Sequence, residues 1–307
     1  MQQNKQTFAP VAVLLFLCLL WAADSLRFDL FPRSSGGAIL PPLVGEAALL
    51  GFLSILAAIP AAIRKSHWPQ KATLAQAMLV GLGLFVFPAL LIEPGNSWIT
   101  GYTRIALFSL TPLLTIVFDP YLGATEKMVQ PAEFLAAIVA VAGTLLVFPM
   151  EVPHSTASFL AFSGVLAASA SIAAANCLAV RACQPDAVSL FTFSGITAGF
   201  AACCLGGVSL VLGKTPAAAA SLDLWAMLRL SSLALLFWLM KHMSAVRIST
   251  RFLITPLLAN LAGLAFLRPH VPLQGWFGLG LIALGAGWLL FVPDQLPQEN
   301  RNLLRLD

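Results

Sequence analysis

ALFSLTPLL fills residues 106–114, and TRFLITPLL fills residues 250–258. Phe108, Thr111, Pro112, Leu113 and Leu114 of the first stretch recur as Phe252, Thr255, Pro256, Leu257 and Leu258, an offset of 144 positions. The same offset carries AGTLL (142–146) onto AGWLL (286–290), and Pro149 onto Pro293. Apolar sequence yields chance matches easily. Two matches on one offset, with both prolines in register, mark an internal repeat.

The repeat unit is found by counting membrane spans between the copies. About 20 apolar residues cross the hydrocarbon core. Runs of that kind occur near 9–31, 38–63, 73–92, 98–120, 131–149, 158–180, 186–212, 222–241, 244–267 and 272–292. The breaks between them are short and polar, and Lys241 and His242 alone separate the eighth from the ninth. The runs are continuous rather than alternating, so they predict helices and not a barrel, since lipid demands internal backbone hydrogen bonding. The offset joins span 4 to span 9 and span 5 to span 10, so the unit is five helices. An odd unit copied once re-enters the membrane from the opposite side. The expected fold is therefore an all-α membrane protein of ten transmembrane helices, built as two inverted five-helix repeats. The first covers 1–150 and the second 151–293, with a tail at 294–307. Inverted repeats are a common architecture of secondary transporters, with the binding site near the midplane.

Composition agrees. Of 307 residues, 59% are hydrophobic and 10% charged, and mean hydropathy is +0.88. A soluble domain carries about 25% charge. The net charge of +4 is dispersed, with no basic stretch interleaved with aromatics, which sets nucleic acid aside. Cys18, Cys177, Cys183, Cys203 and Cys204 form no CxxC pair and lie far from the four histidines, so no metal or redox site is expected. The first apolar run ends in WAADSLRFD without a small-x-small cleavage site, and is read as a retained helix. GxSxG, HExxH and Walker A motifs are absent from the sequence, so neither an enzyme nor a cofactor is expected.

Basic residues set the orientation. With the N-terminus inside, Lys5, Arg64, Lys65, Lys71, Lys127, Arg181, Lys241, Arg301 and Arg305 are cytoplasmic, against Arg33, Lys214 and Arg268 outside. Both termini are thus expected in the cytoplasm of a bacterial inner membrane. Trp68, Trp98 and Trp276 fall near the predicted interfaces and read as belt residues.

These features resemble the drug/metabolite transporter superfamily in its ten-helix EamA arrangement. The carrying stretches are LLWAADS (19–25), SLTPLLTIVFDPYLGATE (109–126), HMSAVRISTRFLITPLLANLAGLAFL (242–267) and LIALGAGWLL (281–290). The chain departs from the pattern in placing Glu126 one position late and in carrying Arg268-Pro269-His270 after span 9, which marks a divergent member. The resemblance implies a secondary active transporter of small metabolites by alternating access, with export favoured over import.

Ionisable residues inside spans suggest function. At 1.5 Å per residue, Glu46, Arg104 and Arg229 come out about 10 Å below the outer surface, with Asp24 also in the outer half. Both signs at one depth suit an amino-acid-like zwitterion or another small polar compound. Arg247 and Arg251 stand one turn apart near the inner end of span 9. Arg251 could receive an anionic group, whereas Arg247 is expected to snorkel to lipid phosphate. Trp21 and Trp238 could line the pathway, and Pro112 and Pro256 could kink their helices as hinges. The alternative function is a membrane-embedded enzyme or lipid-modifying protein using the outer carboxylates. A non-transporting scaffold or receptor is a third reading. The expected partners are a small-molecule substrate and the lipid bilayer, with a proton open as coupling ion and monomer and homodimer both open.

Overall fold

A computed structural model describes residues 2–30, 42–63, 71–93, 98–123, 130–183, 189–213, 224–267 and 272–291. Among them every element is helical. We number the rods α1 (Gln2–Leu30), α2 (Pro42–Ile63), α3 (Lys71–Gly81 continuing through Leu82–Val86 to Phe87–Ile92) and α4 (Gly101–Phe108 and Thr111–Leu122). Next come α5 (Pro131–Val147), α6 (Thr156–Cys183), α7 (Leu190–Val211), α8 (Leu224–His242), α9 (Ala245–Ser249 and Arg251–Leu267) and α10 (Leu273–Phe291). Eight are long and apolar enough to cross a membrane. The two others are α5, apolar but 17 residues long, and α8, whose 19 residues include Arg229 and Lys241. α5 stops short of the span expected to reach 149 because Phe148 leaves helical geometry ahead of Pro149.

Arg33, Arg64, Lys65, Lys127, Lys214, Arg268, Arg301, Arg305, Trp68, Glu126 and the 294–307 tail lie outside the described residues.

The helix ends carry local signals. Thr100 and Ser189 accept from the backbone N–H three residues on, capping α4 and α7. Pro131 opens α5 with Glu133 in its first turn. α7 closes on Gly213 at φ 67°, a left-handed turn that favours glycine.

The surface reverses the soluble pattern. Ile55, Leu135, Leu210, Phe266, Leu284 and Trp288 face outward, while Thr103, Thr111, Thr115, Ser169 and Thr197 are buried. The Thr115 and Thr144 hydroxyls donate to carbonyls one turn back, those of Thr111 and Ala140, and Ser169 donates across to Leu107 O, while the Thr111 and Thr197 hydroxyls have no hydrogen-bond partner among the described residues. Trp98 and Trp276 are exposed.

Packing tracks small residues. α2 lies along α7, and α5 along α10. Ser54 Oγ donates to Gly195 O at 2.8 Å. Gly51 lies near Ala202, and Gly195 near Ala57, so α2 and α7 run antiparallel. Gly143 meets Gly278 and Gly285 meets Ala136, so α5 and α10 do the same. Such residues let helix backbones approach closely in lipid. α1 packs on α8 and α9, and α6 packs on α3 and α4. At the centre Phe108 stacks on Phe252, ring centroids 5.8 Å apart.

Three rods are irregular. In α3, Leu82–Val86 forms a π turn, closed by Phe87 N donating to Leu82 O. Pro88 lacks the N–H that Leu84 O would accept, and the widened turn accommodates it. α4 breaks at Ser109–Leu110, just before Pro112, where Leu110 N reaches back only to Leu107 O. The Ser109 hydroxyl bonds Ala106 O at 2.7 Å. α9 breaks at Thr250 instead of at Pro256, which sits inside the Arg251–Leu267 segment. There Ser249 and Thr250 hydroxyls bond the carbonyls of Val246 and Arg247, each at 2.6 Å. Hydroxyls bonding back along a helix bend it. The breaks in α4 and α9 thus fall at different distances before their prolines.

Candidate functional site

α1, α2, α3, α6, α8 and α9 enclose a cavity of about 330 Å³. Trp21 and Asp24 come from α1, Glu46 from α2, and Leu84 and Phe85 from the π turn of α3. Ile172 comes from α6, Arg229, Ser232, Leu233 and Leu236 from α8, and Arg251 and Phe252 from α9. A second chamber of about 370 Å³ shares Glu46, Leu84, Phe85 and Arg229. It continues past Pro88 to Leu43, Ile92 and Glu93, at the beginning of α2 and the end of α3. On the far side Ile248, Leu239 and Met240 are fully buried. The two chambers thus share one wall, and the second extends it toward the beginning of α2 and the end of α3.

Periodicity explains the placement. Trp21 and Asp24 are three residues apart on α1, as are Arg229 and Ser232 on α8, so each pair shares a helix face. The two faces meet as a ladder. Trp21 Nε1 donates to Ser232 Oγ at 2.9 Å, and Arg229 Nε lies 3.2 Å from Asp24 Oδ2. Ser232 Oγ in turn donates to Arg229 O at 2.7 Å. The Asp24 side chain is 22% exposed and that of Arg229 44%, so the ion pair faces the open cavity and water screens it.

Arg251 is placed differently, at 2% exposed. It donates through Nη1 to Ile248 O and through Nη2 to Asn176 Oδ1, each at 3.3 Å. The guanidinium carbon lies 5.6 Å from the Trp21 ring centroid and 4.7 Å from that of Phe252, within cation–π range.

Of the residues singled out in the sequence, the fold brings Trp21, Asp24, Glu46, Arg229 and Arg251 to one cavity wall. Arg104 and Trp238 are not in it. Arg104 stands in the first turn of α4, beside Gly101. There Thr103 accepts from Glu151 N, and Tyr102 packs on Phe148. Trp238 stacks on His242 near the end of α8, centroids 4.1 Å apart. Arg247, expected to snorkel to lipid, is 7% exposed, because the Ala245–Ser249 segment packs against α4 and α6. Pro112 and Pro256 do not line the cavity; Phe252 does.

Sequence reasoning missed Leu84, Phe85, Ser232 and Asn176. Pro88 inside an apolar run was a readable sign of disturbed helix next to Leu84 and Phe85. Asn176 ends VLAASASIAAAN (165–176), where a lone amide after small apolar residues has to find a partner.

No family pattern matches the sequence, and no curated protein matches it. One solved structure, described as "Crystal structure of protein", aligns over 93% of this chain and 99% of its own at a TM-score of 0.70. Identity is 15%, so the likeness bears on the fold alone.

Proposed function

We propose that this protein is a secondary active transporter of small polar metabolites, working by alternating access between two inverted five-helix halves in the EamA arrangement. The carrying observation is the cavity lined by Asp24, Glu46, Arg229 and Arg251, which a second chamber continues toward the beginning of α2 and the end of α3. A cavity of 300–1,000 Å³ with a few convergent polar groups is the usual form of a small-molecule site. A structural ion-pair cluster would be expected in a packed interface, without space beside it.

The pairwise packing supports the inverted repeat. α2 pairs with α7 and α5 with α10, each the five-later counterpart, and both pairs run antiparallel. The first helix of each half packs on the third and fourth of the other. Phe108 touches Phe252, its partner at offset 144. In a two-fold arrangement, a residue that touches its own counterpart lies beside the axis. Phe252 also lines the cavity, so in such an arrangement the charged groups would stand next to the axis, where inverted-repeat transporters bind substrate.

By the basic-residue count, the end with Leu43 and Glu93 is external and the buried Ile248, Leu239 and Met240 lie toward the cytoplasm, so we read the arrangement as outward-facing. The inward-facing state needs Ile248, Leu239 and Met240 to part while α2 and α3 close over Glu46. Asp24 and Arg229 neutralise each other across that change, which spares the protein an unpaired charge in lipid.

Flux tests the proposal. Purified protein in liposomes should move a radiolabelled amino acid or organic acid down its gradient, and exchange it for unlabelled compound, without chemical change. Conversion of a lipid or metabolite into product, with no flux, would support the enzyme reading instead. A screen that yields neither flux nor exchange would count against transport.

A further inference from the structure

Among the cavity-lining residues described, Arg251 is the cation with no carboxylate against it. Arg229 has Asp24; Arg251 has a carbonyl and an amide oxygen, both at 3.3 Å. Charge-assisted bonds normally close to about 2.7–2.9 Å. Its Nε has no hydrogen-bond partner, nor has Nδ2 of Asn176. Both residues are buried, at 2% and 0% exposed. Two unpartnered donors thus lie on adjacent side chains, one on Arg251 in the cavity wall and one on Asn176 bonded to it behind that wall, while aromatic faces hold the charge. A buried cation so weakly matched is costly in a membrane protein. An anion from outside would complete the match. Arginine's planar fork accepts a carboxylate in two parallel bonds.

We infer that Arg251 and Asn176 form the seat of a substrate carboxylate, which accepts from the Nε edge of Arg251 and from Nδ2 of Asn176. The inference rests on the transport reading for the steps after binding, though not for binding itself. Charge narrows the class further. Arg229, Asp24, Glu46 and Arg251 have formal charges that cancel, so a dianion such as a phosphate monoester would meet two carboxylates in the same space. A monocarboxylate that also carries an ammonium group leaves the cavity neutral, its ammonium end toward Glu46. The apolar remainder would lie on Phe85, Leu233 and Leu236. The predicted ligands are small aminocarboxylates first and simple monocarboxylates second.

The test is thermal unfolding of the purified full chain with matched probes at millimolar concentration. Leucine, 4-methylpentanoate and benzoate should raise the midpoint; leucinamide, 4-methylpentanamide, benzamide and methylphosphonate should not. Arg251→Gln should lose the response. Asn176→Asp keeps shape and supplies the missing carboxylate from within the protein. It should be more heat-resistant when empty and bind the carboxylate probes at least tenfold more weakly. The inference is overturned if the amides act as well as the acids, if no carboxylate acts on the parent protein, if methylphosphonate acts more strongly, or if Asn176→Asp responds like the parent. Carboxylate binding without flux in liposomes would leave the seat standing and remove the transport reading. Flux indifferent to carboxylates and to Asn176→Asp would do the reverse.

Discussion

A methyl group added at Gly143 would stand 2.7 Å from the carbonyl oxygen of Gly278 and 2.8 Å from Ile282 N. One added at Gly278 would stand 2.8 Å from the carbonyl oxygen of Gly143. Non-bonded contacts relax near 3.5 Å, so either methyl would push α5 and α10 apart by roughly 0.7 Å. At Gly143 the two closest atoms are backbone and cannot rotate aside, and at Gly278 the Val147 methyl at 2.7 Å joins the Gly143 carbonyl oxygen in the way. Overpacking of this kind costs about 1–3 kcal/mol, and Gly143→Ala and Gly278→Ala should each fall in that range. Since each glycine opposes the other's carbonyl, the first methyl makes room for the second. The double variant should therefore be less destabilised than the two losses together, by about 1 kcal/mol. Gly287, the offset-144 partner of Gly143, has open space where a methyl would go. Gly287→Ala should be neutral or stabilising by up to about 1 kcal/mol, the helix propensity difference. Reversible unfolding by SDS in mixed micelles, read by tryptophan fluorescence, would measure all four. Single variants as stable as the parent, or losses additive within about 0.3 kcal/mol, would refute the reciprocal contact and with it the close α5–α10 packing.

Trp21→Phe and Ser232→Ala should show a mutual coupling of about 0.6 kcal/mol, typical of interhelical hydrogen bonds in membranes, in a double-mutant cycle by the same unfolding assay; a coupling near zero would mean that the bond does not hold α1 to α8. Asp24→Asn should cost less than about 1 kcal/mol in stability, because Arg229 stays water-accessible; a loss of several kcal/mol would show a desolvated pair. A reporter fused after Asp307 should read as cytoplasmic and one inserted beside His154 as external, and the opposite readings would reverse the assigned orientation of the cavity.

The rods themselves were legible because their signal is local: apolar length, helix caps and short polar breaks are all read in a window of one span. Five of the seven proposed site residues share the cavity for a related reason. A charge or a tryptophan in an apolar run narrows the choice of face. Arg104 shows where depth-counting ends. The count starts at residue 98, but α4 begins at Gly101 and Arg104 stands in its first turn, and depth counting also leaves the rotation of the helix free. Pro256 shows a second limit. Proline predicts a missing hydrogen bond at its own position and says nothing of the break in α9 at Thr250, where side-chain hydroxyls compete for carbonyls. Phe85 entered the wall through a rotation imposed by the π turn, which regular helical periodicity does not anticipate.

That π turn has an evolutionary consequence. It holds one residue more than the α-helix would need across Leu82–Val86. Deleting one codon there would return α3 to regular winding and rotate everything downstream by about 100°. Pro88, Ala89, Ile92 and Glu93 would leave the second chamber together, and three or four different side chains would turn in. A single insertion or deletion could thus re-line half of a cavity wall in one step, without any point substitution in the wall itself. Pro88 limits the exchange, because regular winding would bring its ring against the Leu84 carbonyl. The extra residue and the proline would have to be gained or lost as a pair.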